Sequence, residues 1–176
     1  MIFTETPLNG AFFIQPEKIE DERGFFARSW CESEFKAHGI HVAWVQSNIS
    51  FNTAAGTLRG MHFQAAPHEE AKLIRCTMGA IYDVLVDLRS GSTTYRQWVA
   101  AELSAQNHTM VFAPAGVAHG FLSLTASSEV FYMMSERYVP GCSRGVRWND
   151  PALAITWPSE VRVISQRDMS WPDWSP

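Results

Sequence analysis

The feature that most constrains the fold is a succession of short β-type segments that fills the chain after residue 40. We predict strands at His41–Ile49, Gly56–Gln64, Ala71–Met78, Ala80–Asp87, Gln97–Leu103, Thr109–Ala113, His119–Leu124 and Glu129–Tyr138. Turn-forming residues such as Gly79, Asn107 and Gly141 separate these segments. Many short strands with regular turns and little helix are typical of a sandwich or a barrel.

The N-terminal part adds less regular structure. A turn at Asp21–Gly24 leads into a predicted strand at Phe25–Trp30. The segment Glu32–Gly39 has the pattern of a short helix, with Gly39 as its C-terminal stop. We therefore expect an all-β fold with a few short helices, in one domain that spans residues 1–176.

Composition and charge restrict the classes of partner. Hydrophobic residues make up 46% of the 176 residues, which argues against disorder, and the formal net charge is −4. Since no run of Lys and Arg occurs, neither a nucleic-acid surface nor a polybasic membrane patch is expected. An anionic small molecule stays compatible with the sequence, because a few cations inside a pocket outweigh the global charge.

The cysteines and the N-terminus bear on location. The three cysteines Cys31, Cys76 and Cys142 are odd in number and lack metal-type spacing, which favours free thiols in a reducing compartment. The first residues carry neither a basic region nor a long apolar stretch, so we expect no signal peptide and no membrane span. A cytoplasmic location is expected by default.

Two segments place titratable groups inside predicted β-structure. Arg59–Gln64 contains an Arg and His62, while Pro114–Phe121 contains His119, and Lys72 begins another apolar strand. Buried strands rarely carry so many such groups unless they line a pocket, and a pocket of bases and cations suggests chemistry on an anionic substrate. Taken singly, a hydrogen-bonded core histidine and a solvated strand-end lysine are the commoner interpretations.

Strand geometry adds a condition to this hypothesis. Side chains alternate along a strand, so Arg59 and His62 would point to opposite faces unless a bulge intervenes, and Gly60 permits one. His62 and Gln64 share a face. A metal site built on this strand needs a second His where Gln64 stands, and an amide is a poor ligand beside imidazole. We therefore expect no metal.

Other candidate residues lie further along the chain. Even spacing puts Tyr132 and Tyr138 on one face of a strand, where aromatic packing is an alternative to a functional role. Asp168 follows a turn near the C-terminus, and a surface acid is the ordinary interpretation there. Arginines such as Arg167 could bind phosphate through the guanidinium fork.

Several motifs together resemble the dTDP-4-dehydrorhamnose 3,5-epimerase family of nucleotide-sugar epimerases. The matching segments are Asp21–Phe26, Gln46–Asn48, Leu58–Gln64, Ala71–Leu73, Gly79–Val84, Pro114–Phe121 and Arg147–Pro151. The resemblance runs from about residue 5 to residue 168. It implies a cupin-like jelly-roll barrel that works without a metal or another cofactor. It also implies a homodimer in which N-terminal strands cross onto the partner's sheet, bringing Arg23 and Arg28 to the partner's pocket.

The resemblance also implies roles for individual residues. His62 falls on the catalytic base, Asp168 on the acid that orients it, Tyr132 on the catalytic acid, and Lys72 on the cation beside the sugar C4 oxygen. The predicted substrate-binding residues are Arg23, Arg28, Gln46, Asn48, Arg59, His119, Tyr138 and Arg167. The implied activity is inversion at carbons next to the C4 ketone of a nucleotide-linked 4-keto-6-deoxyhexose.

Two departures leave part of the specificity open. Arg28 stands where thymidine-binding members usually carry Glu, and an Arg can only donate hydrogen bonds, so a CDP-sugar competes with a dTDP-sugar as substrate. Ser143 replaces an acid near the pocket rim. Whether one carbon or both are inverted is also open.

Two other functions compete with the epimerase. A metal-dependent cupin enzyme is disfavoured by Gln64. A non-catalytic sugar-binding cupin is disfavoured by the joint presence of His62, Lys72, Tyr132 and Asp168, because binding alone requires no base–acid pair.

Overall fold

A computed structural model describes residues 1–175 of the chain and has the predicted all-β fold. The strands are β1 Ile2–Glu5, β2 Phe12–Gln15, β3 Lys18–Asp21, β4 Gly24–Ala27, β5 Gln46–Asn52, β6 Thr57–Gln64, β7 Lys72–Met78, β8 Ala80–Asp87, β9 Trp98–Ser104, β10 Met110–Ala113, β11 Val117–Ser123, β12 Ser128–Met134, β13 Ser143–Gly145 and β14 Val163–Ile164. The helices are α1 Glu32–Ala37 and α2 Gln166–Met169, with a 3-10 turn at Pro140–Cys142.

The strands form two facing sheets, which together make the predicted cupin-like jelly roll. One sheet has the strand order β1-β2-β10-β7-β12-β5, and the other has the order β13-β6-β11-β8-β9 with β14 paired to β6. Apolar side chains from both sheets meet between them, among them Ile74, Val111 and Val130 from the first and Leu85 and Phe121 from the second. This core holds the inner strands rigidly, so polar groups on the same faces have fixed positions.

Several predicted boundaries were wrong, mostly at strand ends. The strand predicted at His41–Ile49 begins only at Gln46, because Val42 and Trp44 pack against a separate apolar cluster beside α1. The strand predicted at Phe25–Trp30 ends at Ala27. The strand predicted at Glu129–Tyr138 ends at Met134, so Tyr138 lies beyond it.

The N-terminal region contains more β-structure than predicted. Strands β1 and β2 pair with each other and extend the first sheet through β10, while β3 and β4 form a separate two-stranded hairpin. The predicted helix is confirmed over Glu32–Ala37, and Gly39 follows it with a φ of +76°. That left-handed conformation is the reason for a glycine at the stop.

The β3–β4 hairpin exposes large apolar side chains. Ile19 and Phe26 are 69% and 70% exposed, and Ile49 and Phe51 on β5 are also exposed. Such a surface is unusual for an isolated chain and is typical of an interface. Separately, no helix within residues 1–175 is long and apolar enough to cross a membrane.

Candidate active site

A cavity of about 590 Å³ opens between the two sheets. Its walls come from β5, β7 and β12 on one side, from β6 and β11 on the other, and from the segment that includes α2. Ten of the twelve predicted site residues line it, namely Gln46, Asn48, Arg59, His62, Lys72, His119, Tyr132, Tyr138, Arg167 and Asp168. This volume lies in the range usual for small-molecule sites.

The bulge that Gly60 permits is present and brings Arg59 and His62 to the same cavity. Along β6 and β11, His62 pairs with His119 and Arg59 pairs with Phe121, so β6 carries one extra residue between the two pairs. Gly60 has a φ of +136°, and a Cβ there would overlap the backbone of Gly120. Arg59 is then held by Asn52 Oδ1, which accepts from Nε at 2.7 Å.

His62 is paired with Asp168 rather than packed in the core. Nε2 of His62 lies 2.6 Å from Oδ1 of Asp168, which leaves Nδ1 as the nitrogen able to take a proton. Asp168 is not the surface acid that its position suggested, because the α2 turn, capped by Ser165 Oγ, buries it to 5% exposure. The backbone N–H of Gly60 donates to its other oxygen, Oδ2, at 3.3 Å.

The environment of Asp168 keeps its carboxylate charged. Burial alone would raise the pKa of Asp168, but hydrogen bonds from His62, the Gly60 backbone and the Trp171 indole outweigh that effect and lower the pKa below its ordinary value. A charged carboxylate at Nε2 fixes the tautomer of His62.

Lys72 is buried in the cavity wall and is not a solvated strand end. Its Nζ lies 2.8 Å from Oε1 of Glu70 and donates to the backbone carbonyl of His62 at 3.2 Å. Oε2 of Glu70 accepts from the Gln64 backbone N–H at 2.9 Å. An ammonium has three donors, so two fixed partners leave one for a molecule in the cavity.

His119 makes a second histidine–carboxylate pair. Its Nε2 lies 2.7 Å from Oδ2 of Asp83, and both residues are buried. Oδ1 of Asp83 has no hydrogen-bond partner among the described residues. Burial raises the pKa of Asp83, and the neighbouring His119 offsets this only in part.

The two tyrosines lie in different environments, contrary to the prediction that they share a strand face. Burial raises the pKa of Tyr132 on β12. Tyr138 lies past the end of β12 and is 46% exposed at the rim. A hydrogen bond from Arg167 lowers the pKa of Tyr138, and Arg167 also donates to Ser143 Oγ at 2.8 Å.

Polar side chains of β5 line the opposite wall. Gln46 Nε2 donates to Asn48 Oδ1 at 3.0 Å, and Gln46 Oε1 accepts from the Tyr138 backbone N–H. Gln64 uses its amide on backbone partners, since its Nε2 donates to His68 O and its Oε1 accepts from Val139 N. Within residues 1–175, no three His, Cys, Asp or Glu side chains cluster in a way that could hold a metal ion.

Arg23 and Arg28 are the two predicted site residues that do not line the cavity of their own chain. Arg23 lies at the β3–β4 turn and pairs with Asp21 at 2.5 Å. Arg28 follows β4 and pairs with Glu34 of α1 at 2.6 Å, with a largely exposed side chain. Neither arginine therefore reaches His62 within one chain.

The sequence matches the family described as dTDP-4-dehydrorhamnose 3,5-epimerase over residues 5–175. The chain belongs to this family. The dTDP-4-dehydrorhamnose 3,5-epimerase of Sinorhizobium fredii is 42% identical over 173 residues, which cover 98% of this chain and 89% of that relative. The resemblance noted in the sequence is thereby confirmed, and with it the assignment of the chain as an epimerase.

Two solved epimerase structures have the same fold. The dTDP-6-deoxy-D-glucose-3,5-epimerase of Legionella pneumophila, in complex with dTDP-4-keto-L-rhamnose, is 34% identical with a TM-score of 0.91, covering 98% of this chain and 92% of that one. A 3'-monoepimerase of Streptomyces bikiniensis, in complex with dTDP-quinovose, is 34% identical with a TM-score of 0.87, covering 96% and 85%.

Three residues around the site were missed by the sequence analysis. Glu70 lies in a charged loop whose composition predicts exposure to solvent, and Trp171 lies in the C-terminal tail. Asp83 carried a usable signal, because it has the same strand phase as the buried Ile81 and Leu85. A charge at an inward position of an apolar strand indicates a paired group.

Proposed function

We propose that the protein inverts the configuration at C3 and C5 of a dTDP-linked 4-keto-6-deoxyhexose. The observation that carries this proposal is the His62–Asp168 pair, set in one cavity with Lys72 and Tyr132. These four side chains supply a base, its orienting carboxylate, a cation and an acid. Inversion beside a ketone requires the base and the acid, and the carboxylate and the cation assist it.

The base would be Nδ1 of His62. A C4 ketone acidifies the protons on the adjacent carbons, and a neutral imidazole is suited to remove one near neutral pH, an effect worth about 10²–10⁴-fold in rate. Asp168 would stabilise the imidazolium that forms, because it is already charged and bonded to Nε2.

Lys72 and Tyr132 would complete the inversion. The unused donor of Lys72 would meet the enolate oxygen, a stabilisation of about 3 kcal/mol for a well-placed donor. Burial raises the pKa of Tyr132, so its phenol keeps its proton at neutral pH and can return it to the carbon. Delivery on the ring face opposite to His62 inverts the centre.

The remaining cavity residues would bind the nucleotide diphosphate. Arg59 and Arg167 are the cations suited to the diphosphate, while the amides of Gln46 and Asn48 and the ring of Tyr138 are suited to the base and sugar. We propose thymine as the base, since two solved relatives hold dTDP compounds. His119 would contact the substrate from β11.

We propose inversion at both carbons rather than at one. The Sinorhizobium relative, a 3,5-epimerase, is 42% identical, whereas the Streptomyces 3'-monoepimerase is 34% identical. Analysis of the product at C3 and C5 distinguishes the two outcomes.

We also propose a homodimer. The exposed apolar side chains Ile19 and Phe26 on the β3–β4 hairpin support it, because a docked hairpin would cover them. A hairpin reaching the partner's cavity is also the arrangement in which Arg23 and Arg28 could contact substrate. Light scattering should give twice the 19.8 kDa chain mass, and a Phe26→Glu variant should dissociate. A monomer in the unmodified protein at micromolar concentration would contradict this proposal.

A cytoplasmic location is part of the same proposal. The three cysteines are free thiols in the structure, which agrees with a reducing compartment. Fractionation of the producing cell would test it.

The activity is tested by product analysis. The protein is incubated with dTDP-4-keto-6-deoxyglucose, and the product is examined by NMR for configuration at C3 and C5. We expect both centres to invert, with the matched CDP-sugar as a poorer substrate. Turnover at one centre only, or no turnover with any 4-keto sugar nucleotide, would overturn the proposal.

A further inference from the structure

The segment that follows α2 packs against β13, the edge strand of the second sheet. The backbone N–H of Arg147 donates to Pro172 O at 3.2 Å, and the Arg147 guanidinium pairs with Asp173 at 2.6 Å. Trp174 is anchored twice, because its backbone N–H donates to Asp150 and its indole donates to Tyr95 Oη at 2.8 Å. The tail is therefore tied down at each of the three residues that follow Trp171.

Trp171 meets the His62–Asp168 pair at the atom that joins them. Its indole N–H donates to Oδ1 of Asp168 at 3.2 Å, and the same oxygen lies 2.6 Å from Nε2 of His62. The indole ring also stands edge-on to the imidazole, with centroids 6.3 Å apart and planes at 70°. One side chain thus touches both members of the pair.

The fold leaves a specific space for this indole. Gly145 of β13 pairs with His62 of β6, and a Cβ at Gly145 would overlap the Trp171 ring. On another side, the Arg167 guanidinium lies 5.1 Å from the Trp171 ring centroid. A ring held between a strand backbone and a guanidinium has little freedom to turn its N–H away from Asp168.

We propose that Trp171 is a positioning residue for the proposed catalytic pair, and this inference rests on the proposed function. With the Gly60 N–H on Oδ2 and the Trp171 N–H on Oδ1, the carboxylate plane of Asp168 is fixed from two elements. A fixed plane presents Oδ1 to His62 in one orientation, and the imidazole in turn presents Nδ1 to the cavity.

The test removes the indole N–H and keeps the ring. Trp171→Phe retains an aromatic side chain against Gly145, whereas the matched control Trp174→Phe removes the other tail indole N–H, which bonds Tyr95 instead. For Trp171→Phe we expect kcat to fall about 10-fold with KM within twofold, a loss equivalent to about 1.4 kcal/mol. For Trp174→Phe we expect kcat within twofold of the unmodified protein.

A second readout does not depend on turnover. The proton in the 2.6 Å bond between His62 and Asp168 is expected to give a low-field ¹H NMR signal in resting protein labelled with ¹⁵N-histidine. Trp171→Phe should move this signal, and Trp174→Phe should leave it in place. Since no substrate is present, the signal tests the positioning role even where the proposed reaction fails.

The outcomes separate the two proposals. A shifted signal with lowered kcat supports the positioning role. Unchanged kcat and an unchanged signal in folded Trp171→Phe would overturn it and leave the proposed function intact. An equal kcat loss in both variants would also overturn it, because the tail would then act through packing alone.

Discussion

Two histidine–carboxylate pairs face the same cavity from neighbouring strands, yet their surroundings differ. His62 and His119 are direct partners across β6 and β11, and each binds a carboxylate through Nε2, at 2.6 Å and 2.7 Å. The His62 side chain is 38% exposed, whereas that of His119 is 10% exposed. The His62 imidazole is therefore the more open of the two to a molecule in the cavity, although both line it.

The hydrogen-bond partners and pKa directions of the two carboxylates differ more than the surroundings of the two imidazoles. Asp168 accepts from a backbone N–H and an indole N–H besides His62, and its pKa is lowered. Asp83 has one oxygen without a partner among residues 1–175, and burial raises its pKa. The burial of each carboxylate and the donors around it, rather than the pairing with histidine, therefore distinguish the two pairs.

The largest expected effect on kcat comes from replacing the carboxylate in each of the two histidine–carboxylate pairs. Asp168→Asn should lower kcat about 10³–10⁴-fold, because the amide cannot hold the required tautomer or stabilise an imidazolium. The matched Asp83→Asn should lower kcat less than about 10-fold, since His119 is not the proposed base. Steady-state kinetics on both variants checks this, and equal losses would remove the distinction between the pairs.

The Lys72–Glu70 ion pair in the cavity wall gives the next largest expected effect on kcat. Lys72→Met should lower kcat about 10²–10³-fold by removing the donor for the enolate oxygen. Glu70→Gln should cost less than about 10-fold, because the amide oxygen still accepts from the ammonium. Kinetics with circular dichroism as a folding control measures both. A Lys72→Met enzyme with nearly normal kcat would exclude the enolate role.

Stability should depend on pH in opposite directions for the two carboxylates. The lowered pKa of Asp168 contributes stability above its ordinary value near 4 that is lost as pH falls through the folded-state pKa. Asp168→Asn should therefore cost about 1–3 kcal/mol at pH 7 and less at pH 3.5. The raised pKa of Asp83 favours folding at low pH, so Asp83→Asn should be more destabilising at pH 4 than at pH 7.

Denaturant unfolding at several pH values tests this contrast. The two variants should show opposite slopes of the change in unfolding free energy against pH. Parallel slopes would mean that the two carboxylates have the same protonation behaviour, contrary to their hydrogen-bond environments.

The smallest expected effect concerns the nucleobase. Arg28 is held by Glu34 at 2.6 Å and lies outside the cavity of its own chain. Because the Arg28 guanidinium is already paired with Glu34, Arg28→Gln should change the ratio of kcat/KM for dTDP- and CDP-sugars by less than about twofold, also in the proposed dimer. A large change in that ratio would show instead that Arg28 contacts the base, as its place in the sequence suggested.

The sequence predicted the fold class because turns and strand composition are local signals. Most strands after residue 45 were placed correctly, while β1, β2 and β3 in the N-terminal part were missed. Short strands are stabilised by neighbours distant in the chain, such as β10 beside β2, and these neighbours leave no local pattern.

The candidate site was predicted in outline and not in its supporting contacts. Strand phase made a shared cavity for Arg59 and His62 conditional on a bulge at Gly60, and the structure contains that bulge. Glu70 and Trp171 were not foreseen, because a charged loop and a C-terminal tail give no sign that they fold onto the cavity. Tertiary contacts hold both residues in place. Glu70 pairs with the buried ammonium of Lys72, and Trp171 occupies the space left by the absence of a side chain at Gly145.

The most direct test of the central claim follows deuterium from D₂O into C3 and C5 of dTDP-4-keto-6-deoxyglucose. The unmodified protein should exchange both positions, His62→Ala should exchange neither, and Tyr132→Phe should exchange without inverting. These results would assign proton removal to His62 and proton return to Tyr132. Exchange by His62→Ala at nearly the unmodified rate would contradict the account, because another group would then be the base.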